Sequence, residues 1–135
     1  MGISNILYLK EEEFIAKIVT ETEEREIYSL RSELDYIAKN CLLSISEYYK
    51  LVRKKLQLKN KIPIYFSNKL LLFTLKSKNT RYLINYFNIL KICYEKDIII
   101  IIFKNGTIIN VNVNRRIITK ELCKINQILE YINKL

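Results

Sequence analysis

Nine cations are the residues of this chain whose type and grouping point to a chemistry: Lys50, Arg53, Lys54, Lys55, Lys76, Lys78, Arg81, Arg115 and Arg116. That chemistry is neutralisation of phosphate. An array of ammonium and guanidinium groups attracts a polyanion, first nucleic acid and second an anionic membrane surface. The first four fall within one turn and a half, and no acid interrupts residues 50–61. The next three belong to a segment, 76–81, with three positive charges and no negative one. The last two are adjacent. A blander reading stands beside this one, in which the same residues are ordinary solvated faces and turns.

The charge is unevenly spread. The whole chain of 135 residues carries +9. Residues 1–36 hold four basic and nine acidic side chains, net −5, whereas residues 37–135 carry +14. Codon bias explains part of this. The chain is crowded with Ile, Lys, Asn and Tyr, and Lys outnumbers Arg seventeen to six, as an A/T-rich genome produces. The acidic front could cover the basic body or contact a neighbouring subunit. Its acids read as solvated turns rather than a metal site, which needs oxygens that converge.

Catalysis finds little support. Histidine, the commonest general base and metal ligand, is missing. With Gly2 and Gly106 as the only glycines, no Gly-rich phosphate loop exists. Cys41, Cys93 and Cys123 are far apart and have no partner to activate them. They read as reduced thiols, which together with the lack of a signal-like N-terminus predicts a cytoplasmic protein. No apolar run is long enough to span a bilayer, so no membrane partner is expected. Neither a cofactor nor a metal is expected.

The elements that must position the cations can be read from periodicity. Residues 97–113 organise the rest. Five isoleucines and Phe103 make a β-branched run that suits a mostly buried strand. Asn105-Gly106 predicts a two-residue type I′ turn. Ile109, Val111 and Val113 then alternate with Asn110 and Asn112, giving a strand with one wet face. This hairpin is taken as the centre of a sheet.

Upstream, apolar residues at 3–9 and alternation at 14–20 predict two strands, with a third starting at Glu26, as a small front meander. Leu30, Leu34 and Ile37 set a helical stripe over 30–40. Ser44 and Glu47 have capping-box spacing ahead of a second helix to Leu56. Its apolar stripe is Tyr48, Val52 and Leu56, with Lys50, Arg53 and Lys54 opposite. Pro63 forces an extended segment over 61–66, and its partner strand is 70–75. A loop is expected at 76–81, then a strand over 82–94 bent near Asn85 and Asn88. Ile118, Leu122, Ile125, Leu129 and Ile132 predict a closing helix over 117–135.

The order of motifs resembles the competence transcription factor ComK family of low-G+C Gram-positive bacteria. The residues that carry the resemblance are Lys61, Pro63 and Ile64, then Phe73 and Ser77, then Ile101, Phe103, Asn105 and Gly106. Cys41, Ser46 and Tyr48 fall about where that family has a Cys and a Ser-rich segment. The resemblance covers roughly residues 6–132. It implies one ComK-like domain over 1–135, made of an acidic meander 1–29, a helical segment 30–59, a sheet 61–113 and the closing helix 117–135. It also implies a transcriptional activator of competence genes that binds A/T-rich double-stranded DNA as a homo-oligomer. RNA polymerase or a regulatory protease adaptor would be further partners. The nine cations come from local charge and not from the family's contact residues.

The expected class is therefore α+β: a mostly antiparallel sheet, open and barrel-like, with two internal helices and a C-terminal helix. A second functional class fits that outline. A pleckstrin-homology-like barrel would be a non-enzymatic interaction module without nucleic acid, and fold alone does not separate the two.

Overall fold

A computed structural model describes residues 2–135. The class is α+β as expected, with nine strands in two antiparallel sheets and three α-helices among the described residues. The strands are β1 (Ile6–Glu12), β2 (Ile15–Thr20), β3 (Glu24–Ile27), β4 (Ile64–Ser67), β5 (Leu70–Ser77), β6 (Thr80–Asn85), β7 (Ile89–Glu95), β8 (Ile98–Phe103) and β9 (Ile108–Val111). The helices are α1 (Leu30–Asn40), α2 (Ile45–Leu56) and α3 (Arg115–Asn133).

The larger sheet has the order β3-β2-β1-β6-β5-β4, and the smaller one β7-β8-β9. Neither closes into a barrel. The acidic front meander is not a separate unit, because β1 pairs antiparallel with β6 and makes the N-terminal strands half of the main sheet. The isoleucine hairpin is not the centre of that sheet either. Its strand β8 is the middle of the smaller sheet.

Both faces of the main sheet are buried, which is why β5 reads as a near-continuous apolar run. Leu70 and Leu72 face α1 together with Leu9, Ile18, Leu83 and Ile37. Leu71, Phe73 and Leu75 face the other way, against Ile99, Ile101 and Phe103 of β8 and Ile118 and Ile125 of α3. Three layers result: α1 and α2, the main sheet, then the small sheet with α3. Burying a side chain such as Phe73 or Phe103 stabilises by roughly 1.5–3 kcal/mol, and both are fully buried. At the β4 edge a third cluster of Val52, Ile62 and Ile128 joins α2 to α3.

The bend after β6 is set by two asparagines. Asn85 is fully buried. Its Oδ1 accepts from the backbone N–H of Leu71 at 3.1 Å and of Phe87 at 3.3 Å. Its Nδ2 donates to the carbonyls of Ile6 at 2.9 Å and Lys69 at 3.1 Å. Asn88 Nδ2 donates to the carbonyls of Ser4 and Ile6 at 2.9 and 2.8 Å. The chain thus leaves the main sheet at Asn85 and starts the second sheet at Ile89, so the expected single bent strand over 82–94 is two strands in two sheets.

Turn chemistry differs from expectation at three places. The hairpin at Asn105-Gly106 is not a type I′ turn, since positive φ occurs at Gly106 (94°) and not at Asn105. Gly106 N–H donates to the Phe103 carbonyl at 2.9 Å, and Phe103 N–H to the Thr107 carbonyl at 2.8 Å. That is the three-residue loop in which a left-handed Gly forms a bulge. The complete capping box lies at Ser29 and Ser32 of α1. At α2 the Ser44 hydroxyl accepts from Glu47 N–H at 3.3 Å, but the Glu47 carboxylate turns to Lys50 Nζ at 3.6 Å. Finally, α3 starts at Arg115, capped by Asn114, whose Oδ1 accepts from Ile117 N–H at 3.1 Å.

Candidate nucleic-acid interface

The site is built on the α1 face of the main sheet, where helix cover runs out. Alternation along β5 sends Leu72, Thr74 and Lys76 to this face, and β6 contributes Arg81 and Leu83. The expected 76–81 loop is a tight hairpin: β5 runs to Ser77, Lys78 and Asn79 form the turn, and β6 begins at Thr80. Lys76 and Arg81 are therefore strand residues, directly paired in register.

Over these strands α1, α2 and the connection to β4 enclose a cleft of about 580 Å³. Its walls carry Arg31, Arg53, Lys59, Lys61, Lys76 and Arg81, six cations with no carboxylate among the lining residues. Leu30, Leu34, Ile64, Leu72 and Leu83 form an apolar floor. Among the described residues none of the six has a carboxylate within 4.0 Å, whereas Lys10, Lys17, Arg25, Lys50 and Lys124 do. Lys61 stands in the left-handed region at φ 49°, a conformation L side chains rarely adopt.

The wall from α2 is stapled in place. Tyr48 donates its hydroxyl proton to the Pro63 carbonyl at 2.7 Å and accepts from Tyr65 N–H at 3.2 Å. Burial raises its phenol pKa to about 12, with the Tyr65 N–H acting in the opposite direction. One residue on, the Arg53 guanidinium lies over the Tyr49 ring at 5.3 Å. Burial pushes the Tyr49 phenol up, and Arg53 opposes it.

Of the nine cations singled out by sequence, the structure brings together Arg53, Lys76 and Arg81 in this cleft. Lys50, Lys54 and Lys55 are exposed on α2 and do not line it, and Lys50 pairs with Glu47. Lys78 occupies a neighbouring groove with Lys76 and Arg81, and there Glu11 and Glu13 approach from β1 and its turn. In register Glu11 opposes Arg81, so the acidic front borders the basic cleft along one row of the sheet. Arg115 and Arg116 share a shallow groove on α3 with Lys120 and Lys124. Arg115 lies over the Tyr94 ring at 4.3 Å.

The nine cations singled out by sequence do not include Arg31, Lys59 or Lys61. Lys59 and Lys61 lie in the acid-free run, which was the available signal. Arg31 had none, because only packing of α1 turns it to the cleft. A further link was invisible in sequence: Lys124 Nζ donates to the Asn60 carbonyl at 2.9 Å and binds Glu121 at 2.8 Å. This ties α3 to the segment carrying Lys59 and Lys61. Arg116, Lys120 and Lys124 follow one helix face at i, i+4 spacing, about 12 Å from end to end, and lead towards the cleft.

Among the described residues no group of three or more Cys, Asp or Glu converges to hold a metal ion, and no helix is long and apolar enough to cross a membrane. The three thiols are free. No family model matches the chain, and no curated protein or solved structure matches it.

Proposed function

We propose that this protein is a non-enzymatic DNA-binding regulator that grips duplex phosphates with the six-cation cleft and the basic face of α3. The observation that carries this reading is the side-by-side placement of Lys76 and Arg81. Like charges directly opposite on neighbouring strands destabilise a sheet, and Glu11, beside Arg81 on β1, makes no ion pair with either cation within 4.0 Å. A phosphate between them would pair with both. The adjoining Arg31, Arg53, Lys59 and Lys61 extend the positive field along a backbone.

The resemblance to the ComK family supports a transcriptional activator that prefers A/T-rich DNA. Such tracts have narrow minor grooves of enhanced negative potential, which attract cationic side chains. In this reading the protein works in the cytoplasm, on promoter DNA.

The apolar floor favours a second reading, an acidic protein segment seated in the cleft through both charge and apolar side chains. Fluorescence-anisotropy titrations against A/T-rich and G/C-rich duplexes of equal length separate the two. Contact with roughly six phosphates gives a log–log salt slope near −5, with tighter binding to the A/T-rich duplex. Equal affinity for both duplexes leaves a generic cationic surface. No binding at moderate salt overturns the DNA reading in favour of the acidic segment.

A further inference from the structure

The isoleucine run of β8 is not buried on both faces. Ile99, Ile101 and Phe103 are buried, while Ile98, Ile100 and Ile102 are only half-buried. The middle strand of the small sheet therefore presents an apolar row on the outer face. Beside it, β7 is an edge strand of seven residues without proline, with a register shift between Ile89 and Lys91 and regular pairing from Lys91 to Glu95. Natural edges are usually short, bulged or blocked with charge, because unpaired backbone groups template another strand.

The charges on this edge are arranged to match themselves. Lys91, Cys93 and Glu95 pair in register with Ile102, Ile100 and Ile98, so all three side chains lie on the outer face. The two-residue turn at Lys96 and Asp97 makes Glu95 and Ile98 the closing hydrogen-bonded pair. By alternation Ile92 and Tyr94 then direct their N–H and C=O groups away from β8, to the open edge.

We infer that β7 pairs antiparallel with β7 of a second copy of this chain, about a two-fold axis at Cys93. In that register Ile92 and Tyr94 of each copy exchange backbone hydrogen bonds with Tyr94 and Ile92 of the other. Lys91 stands opposite Glu95 twice, once on each side of the axis. Any other antiparallel register loses one or both of these pairs. The two small sheets become one six-stranded intermolecular sheet, with the Lys91–Glu95 pairs and Cys93 between the two outer isoleucine rows. Such isologous pairing is the commonest way a homodimer closes. The contact requires no nucleic acid and stands independently of the DNA-binding reading.

One edge buries less than a standard interface, so the dimer dissociates in the micromolar range, on the order of 10–100 μM. Sedimentation velocity without DNA tests it on the full chain. Lys91→Glu and Glu95→Lys each place like charges opposite one another twice and weaken dimerisation about tenfold or more. The doubly exchanged chain returns to within about threefold of the original, and an equimolar mixture of the two single variants forms a heterodimer. In a Cys41→Ser/Cys123→Ser chain, a short bis-maleimide joins Cys93 to Cys93, each thiolate adding across one maleimide double bond, since the two Cα atoms of a non-hydrogen-bonded pair are about 4.5 Å apart. A monomer at several hundred micromolar overturns the inference. So does a dimer indifferent to the single reversals, or single variants that fail to associate when mixed.

Discussion

Lys76 and Arg81 face each other across the β5–β6 ladder, two positive side chains on one face of a hairpin with no carboxylate within ion-pair distance. A cross-strand pair of this kind costs stability that opposite charges would have contributed, on the order of 0.2–1 kcal/mol. The arrangement makes sense as a cradle for an anion, and the whole cleft follows the same logic.

Replacing both Lys76 and Arg81 with Ala tests the cradle. The DNA salt slope falls in magnitude by about 2, because two phosphate contacts are lost, and affinity drops at least tenfold at low salt. Stability without DNA changes by less than about 1 kcal/mol, because the Lys76–Arg81 repulsion and the Arg81–Glu11 attraction disappear together. Anisotropy across a salt series and urea unfolding of the same variant read the two effects separately. Unchanged affinity would place the DNA elsewhere.

Asn85 is the clasp between the two sheets, and Asn85→Leu removes four hydrogen bonds at once. Two backbone N–H groups and the carbonyls of Ile6 and Lys69 lose this partner in the interior. A buried unsatisfied group costs about 1–3 kcal/mol, so the variant loses on the order of 3 kcal/mol or fails to fold. Urea denaturation gives the number, and a loss below about 1 kcal/mol would show that the bend does not depend on this side chain.

Tyr48 makes stability depend on alkaline pH. Its folded pKa is raised to about 12 from an ordinary 10. Folding therefore favours the neutral phenol. The associated stability is fully present below pH 10 and is lost as pH rises from about 10 to about 12. Tyr8, Tyr49 and Tyr82 are shifted the same way by burial and add to the decline. Tyr48→Phe removes the hydroxyl bonds to Pro63 and Tyr65 and costs about 1–2 kcal/mol at neutral pH. It also flattens the alkaline slope. Urea midpoints at pH 9 and pH 11 for the two proteins check both effects.

The elements with strong local signals are legible in the residues themselves. The spacing of Leu30, Leu34 and Ile37, the Ser44 cap, the break at Pro63 and the Ile118–Ile125 stripe are all local patterns with a 3.6-residue or capping logic, and each element is present. Alternation likewise puts Ile109, Val111 and Val113 on the buried face of β9 and its extension. Asn105-Gly106 locates its turn but does not set the type. The pair suits both a I′ turn and a left-handed bulge, and the closure of the hairpin decides between them.

Composition and periodicity by themselves determined the α+β class, the helix positions and an acid-free basic stretch between residues 50 and 61. Only tertiary structure decided which cations share a surface. Arg31, Arg53, Lys59, Lys61, Lys76 and Arg81 come from two helices, a connection and two strands, and no local rule links them. Long-range pairing of β1 with β6, the Asn85 clasp and the packing of α1 over β5 bring them to one cleft. The same packing left Lys54 and Lys55 outside it, since a helix turns neighbouring residues to different faces and only its packing partner selects which face is used.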